Sequence, residues 1–84
     1  MTDTVSTRPG AQRWTAVLDG RRLRQLRRQH GLSQEQLATH AGISLTTICR
    51  LERQPAAPCR SRTLGRLATA LDEEPARLTR ATPP

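Results

Sequence analysis

The chain contains no lysine, phenylalanine or tyrosine, and Trp14 is its one aromatic residue. A core built without aromatic rings has to be aliphatic, which favours packed helices over strands, since strands draw on aromatic and β-branched residues. No apolar run approaches the ~20 residues needed to cross a bilayer, and the start shows no secretory pattern. A cytoplasmic protein, in bacterial cytosol or nucleoid and away from membranes, is expected. Two cysteines, Cys49 and Cys59, are too few for a disulfide framework, and with His30 and His40 they fall into no CxxC or HxxxH spacing. Neither a metal nor any other cofactor is expected, and free thiols suit a reducing compartment. Also missing are an acid–base pair, a nucleophile with a partner and a phosphate-binding glycine loop, so the sequence does not read as an enzyme.

What the chain has in abundance is arginine, which supplies all 14 basic side chains against 7 acidic ones, for a formal charge of +7 on 84 residues. Such an excess on a single small domain predicts affinity for a polyanion, either nucleic acid or an anionic membrane surface. The membrane reading is the weaker, because the helices that carry the arginines also carry core stripes and are committed to a folded domain. Arginine without lysine points to a GC-rich genome more than to chemistry, although its fork suits bidentate contacts to phosphate and guanine.

The densest pattern lies in residues 34–53, QEQLATHAGISLTTICRLER. Leu37, Ala38 and Ala41 share one helix face, as do Ile48 and Leu51. Ser33, with Gln36 three residues on, forms a capping box, and Ser44 can cap the second helix. Between them Gly42 offers the left-handed conformation that ends the first. The spacing predicts a helix, a tight turn and a second helix.

This stretch resembles the helix-turn-helix of the lambda-repressor and Cro class, the XRE family. The family pattern asks for a small residue where Ala38 stands, glycine at Gly42, and apolar residues at Leu37, Ile43, Ile48 and Leu51. The similarity extends through LRQLRRQHGLSQ and RTLGRLATALDEEPARL, most of the chain. It implies an all-α fold, a five-helix lambda-repressor-like DNA-binding domain over residues 19–80, with a flexible, partly disordered N-terminal arm over 1–18 and a frayed end over 81–84.

Within that frame, Asp19 caps a helix from about Gly20 to Gln29 that Gly31 stops, with Leu23 and Leu26 as its core stripe and Arg21, Arg22, Arg24 and Arg28 on its surface. Trp14, Val17 and Leu18 read as an apolar plug on that helix. Arg8 and Arg13 make the arm either a strand that reaches along DNA or a solvated tail. Pro55 and Pro58 stop the helix that Gln54 leaves without its usual glycine, and Cys59 in that loop reads as an exposed or half-buried thiol. Ser61 or Arg62 opens a fourth helix carrying Leu64, Leu67, Ala68 and Leu71. Pro75 suits the first turn of a short fifth helix through Leu78 and Thr79, with Asp72, Glu73 and Glu74 favouring its dipole.

The resemblance also assigns roles. It pairs Arg27 with Glu52 as a structural ion pair locking the first helix to the end of the second motif helix. It implies base contacts in the major groove from the helix over residues 45–52, through Leu45, Thr46 and Arg50, with Cys49 at the margin. Arg50 can pair with guanine O6 and N7, and Leu45 either meets a thymine methyl or is a scattered surface residue. Phosphate contacts fall to Gln34 at the helix N-terminus, to Ser33, Thr39, Ser44 and Thr47, and to Arg53, Arg60 and Arg62 around the loop. His40 has no such assignment beyond plain surface or an added phosphate ligand. The expected function is a sequence-specific regulator of transcription, a repressor binding double-stranded DNA as a homodimer on a pseudo-palindromic operator. The alternative is a protein-interaction module, such as an antitoxin or accessory subunit, with a protein partner.

Overall fold

In the computed structural model, which describes residues 16–79, four α-helices surround an aliphatic core and a short two-stranded sheet closes one side. The elements run β1 (Ala16–Leu18), α1 (Gly20–Gln29), α2 (Gln34–Ala41), α3 (Leu45–Arg53), β2 (Ala57–Cys59) and α4 (Ser61–Ala70), followed by one 3₁₀ turn (Pro75–Arg77). Each helix starts and stops for a local reason. The Asp19 carboxylate accepts from the Arg21 and Arg22 amides at 3.0 and 3.2 Å, which satisfies two of the donors that open α1. Ser33 and Gln36 close a reciprocal capping box at 3.0 and 2.8 Å on α2. Gly42 leaves α2 at φ 68° and ψ 37°, and the Ile43 amide turns back to the Ala38 carbonyl at 3.0 Å, so α3 starts at a fixed angle to α2.

One stripe per helix builds the core. Leu23 and Leu26 of α1, Leu37, Ala38 and Ala41 of α2, Ile48 and Leu51 of α3, and Leu64, Leu67 and Ala68 of α4 are all buried, joined by Leu18, Leu71 and Leu78 from outside the helices. Helix α3 packs against both α1 and α2, and α4 closes the other side of α2. That leaves the opposite side of α3 uncovered.

Three features depart from the expected five-helix, all-α plan. The fifth helix is only a 3₁₀ turn: the Arg77 and Leu78 amides bond three residues back, to Glu74 and Pro75. It cannot lengthen because Leu78 gives its carbonyl to the Asp19 amide at 2.7 Å and Thr79 bridges Leu18 in extended backbone. The second departure is the sheet, in which Ala16, Val17 and Leu18 pair antiparallel with Cys59, Pro58 and Ala57. Strands this short carry too little alternation to be seen in a sequence, and Pro58 is tolerated because β2 is an edge. Leu18 is therefore buried as a strand residue and Val17 stays 42% exposed, while Trp14 of the expected plug lies outside the described residues. The arm over residues 1–18 overlaps them only at β1, and residues 81–84, with Arg8 and Arg13, also lie outside. The third is Cys59, which is 1% exposed and part of the core rather than a loop thiol, because the β1–β2 pairing turns it inward.

Asp72, which stands ahead of the last turn, also closes α4. It adopts φ 54° just past α4, and its amide bonds the Thr69 carbonyl at 3.1 Å while Glu73 returns to Ala68 at 2.9 Å, a left-handed helix stop made without glycine.

Candidate nucleic-acid interface

With Ile48 and Leu51 buried, the helical period turns Leu45, Thr46, Cys49, Arg50 and Arg53 the other way, and these five line a single open depression along α3. Leu45 is 39% exposed, an unfavourable placement for a leucine on a free helix. Ser44 is occupied as the cap: its Oγ accepts from the Thr47 amide at 3.2 Å and donates to Thr47 Oγ1 at 2.9 Å. Thr39 of α2 borders the start of α3, sharing a second depression with Ser44 and Leu45.

Arg50 reaches past α3 toward the sheet. Its Nη1 donates to the Pro58 carbonyl at 3.3 Å, a long bond to the edge of β2, and it lines a further depression with Thr47, Cys59, Arg60 and Thr63. The guanidinium thus lies between the outward face of α3 and the start of α4. Burial pushes the Cys59 thiol above its ordinary range, and the charge of Arg50 nearby opposes that only in part. Arg60 is the N-cap of α4 but gives it no side-chain bond, and Arg60, Arg62 and Arg53 are all exposed.

Beneath this surface Arg27 and Glu52 form a two-point ion pair, Nε to Oε2 at 2.7 Å and Nη2 to Oε1 at 3.0 Å, with side chains only 10% and 4% exposed. The hydrogen bond to Glu52 holds the Arg27 proton more tightly than usual, against the opposing effect of burial. Nη1 of Arg27 donates to the Leu32 carbonyl at 2.8 Å, fixing the α1–α2 connection as well.

Gln34 joins this network rather than pointing freely outward. Its Nε2 donates to Glu52 Oε1 at 3.1 Å, and its Oε1 accepts from the Cys49 thiol at 3.5 Å. The side chain is used to tie α2 to α3, so what α2 offers an anion is its N-terminal backbone and the remaining amide proton of Gln34. Sequence spacing had no means of showing this, since three helices have to meet before the network exists. It also missed Gly20, whose amide donates to the Gln54 carbonyl at 3.1 Å. A β-carbon at Gly20 would collide with the carbonyl oxygens of Leu51 and Gln54, so the glycine lets α1 touch the end of α3.

Among the described residues no group of three or more His, Cys, Asp or Glu side chains comes together, and no helix is long and apolar enough to cross a membrane. The described ion pair is internal to the fold.

Comparison with known proteins places this geometry. The profile of the helix-turn-helix domain family matches residues 20–81. Among solved structures, the restriction-modification controller protein C.AhdI from Aeromonas hydrophila is similar over 69% of this chain and 86% of its own, at 41% identity and a TM-score of 0.64. SinR, a master regulator for biofilm formation solved in complex with DNA, is similar over 70% of this chain and 94% of its own, at 25% identity and a TM-score of 0.66. A mutant hydroxyethylphosphonate dioxygenase shares the fold alone, at 24% identity and a TM-score of 0.68, over 80% of this chain but 14% of its own. Among curated protein sequences no relative matches significantly.

Proposed function

The chain belongs to the helix-turn-helix domain family, and from that premise we propose that it is a sequence-specific regulator of transcription, a repressor that binds double-stranded DNA in the cytosol. The observation that carries the reading is the outward face of α3, where Leu45, Thr46, Cys49, Arg50 and Arg53 share one depression while the apolar side is sealed in the core. A helix so presented fits the major groove of B-form DNA with its first turns against base edges.

Leu45 and Thr46 lie at the N-terminal turn of α3, where they reach base edges and a thymine methyl. Arg50 exchanges its long bond to Pro58 for O6 and N7 of guanine, and Cys49 lies beside it. Phosphates on either side are met by the first turn of α2 at Ser33 and Gln34, by Thr39, Ser44 and Thr47, and by Arg53, Arg60 and Arg62. The buried Arg27–Glu52 pair makes no such contact and keeps α1 and α3 in register beneath the face. The relatives support the reading, since one is a restriction-modification controller and another was solved with DNA.

A domain of this size makes few base contacts, so it acts as a homodimer on a pseudo-palindromic operator with half-sites about one helical turn apart. Selection of bound duplexes from a random pool tests this. The expected product is an enriched palindrome of that spacing; recovery of sequence-blind, salt-sensitive binding would transfer the fold to a protein partner instead.

A further inference from the structure

Helix α1, GRRLRQLRRQ, has no acidic residue, and its arginines outnumber any structural need for them. Arg27 is consumed by Glu52, but Arg21, Arg24 and Arg28 are exposed, and their side chains make no hydrogen bond or ion pair with any described residue. They stand at i, i+3 and i+7, one stripe of the helix, and line a shallow depression with Gln25 and Gln29. Like charges at such spacing repel one another along a helix, and a bound polyanion relieves that repulsion.

Arg24 also belongs to a second depression, shared with Arg27, Gln34, Cys49, Glu52 and Arg53. In it the Arg27–Glu52 pair is buried and self-neutralised, and Gln34 is bonded to Glu52 and Cys49. The guanidiniums of Arg24 and Arg53 remain, exposed and without a counter-charge among the described residues. Two forks over a neutral base attract a bidentate anion, and Cys49 and Arg53 also line the base-reading depression of α3. The basic strip is therefore continuous from the face of α3, across Arg53 and Arg24, to Arg28 and Arg21.

We propose that Arg24 of α1 and Arg53 of α3 jointly bind one phosphate of the DNA backbone flanking the bases read by α3, and that the α1 stripe carries the duplex outward from there. The inference rests on the DNA-binding reading above. Charge complementarity and continuity with the α3 face select DNA over an acidic peptide as the occupant.

The test measures the affinity of the full chain for its selected duplex as a function of salt, in wild type, Arg24→Gln, Arg24→Lys, Arg53→Gln, Arg24→Gln combined with Arg53→Gln, and Arg77→Gln. Each phosphate contact contributes about 0.9 to the slope of log affinity against log salt for B-form DNA. Arg24→Gln and Arg53→Gln are each expected to lower the slope by part of that amount, and the two combined by about the whole of it, with base preference unaltered in Arg24→Gln. Arg24→Lys should retain most of the slope, and Arg77→Gln, which lines neither depression of the strip, should leave it unchanged. A neutral methylphosphonate at the contacted phosphate should reproduce the slope of the combined Arg24→Gln and Arg53→Gln variant in the wild type and add nothing in that combined variant. A wild-type slope in Arg24→Gln, on a duplex that wild type binds specifically, overturns the inference while the DNA-binding reading stands. Failure of wild type to bind any duplex specifically overturns both.

Discussion

Arg27 grips both carboxylate oxygens of Glu52, at 2.7 and 3.0 Å, and directs a third N–H to the Leu32 carbonyl at 2.8 Å. One side chain thereby fixes three things: the end of α1, the loop into α2, and the last turns of α3. Because the pair is almost fully enclosed, removing one partner strands a charge in the interior. Arg27→Met should cost about 3–5 kcal/mol in urea denaturation, a large share of what a small domain has, whereas Arg27→Met combined with Glu52→Leu should recover much of it. Arg27→Lys keeps the charge but loses the fork, and should fall between wild type and Arg27→Met.

Gly20 sets the distance between α1 and the end of α3. Alanine is the better helix former by about 1 kcal/mol, so propensity alone predicts that Gly20→Ala stabilises. The collision with two backbone oxygens outweighs it, because carbonyls anchored in a helix end cannot swing aside as a flexible side chain would. Gly20→Ala should lose about 1–3 kcal/mol by chemical denaturation, the range of overpacked sites. An unchanged or raised melting point would show that the two helices are not held this close.

Asp72 makes the opposite case. It holds φ 54°, a conformation that glycine adopts with less strain. Asp72→Gly should raise stability by about 0.5–1 kcal/mol, after allowance for the greater freedom of the unfolded glycine chain, and thermal melts will read it directly.

The two thiols should behave differently. Cys49 is half-buried on the α3 face and should react with a maleimide in the native protein, while Cys59, in the core, should react only as the chain opens. Burial raises the Cys59 pKa, so the folded protein keeps a proton that the unfolded chain gives up. The associated stability is complete below the unfolded value of about 8.5 and is lost as pH rises above it. Denaturation at a series of pH values from neutral to 10 should show that decline, and Cys59→Ala should flatten it.

The parts of this fold that were legible in the sequence are those decided within a few residues. The Ser33 box, the Gly42 turn and the Ser44 cap are local bargains between a side chain and the next turn of backbone, and the stripes through Leu37, Ile48 and Leu67 follow from helical period. What the sequence concealed depends on segments that meet only after folding. The β1–β2 pairing buries Cys59, the Thr79 bridge cuts the last helix to a turn, and the Gln34 amide is drawn into the Arg27–Glu52 network by a neighbour eighteen positions away. Of the candidate interface, the outward side of α3 follows from the helical period that assigns Ile48 and Leu51 to the core, and the choice of its residues as contacts comes from the family resemblance. The tether of Arg50 to Pro58 follows from neither, because it needs the sheet.

The most direct test of the central claim compares binding to the selected duplex and to a scrambled duplex at one salt concentration, in wild type and in Arg50→Ala. Wild type should prefer the selected duplex by about a thousandfold or more, and Arg50→Ala should lose ~1–3 kcal/mol of that preference, with the guanine position relaxed and scrambled-duplex binding reduced far less. Equal wild-type affinity for both duplexes, or an Arg50→Ala variant with its preference intact, would contradict the account that α3 reads DNA through this residue.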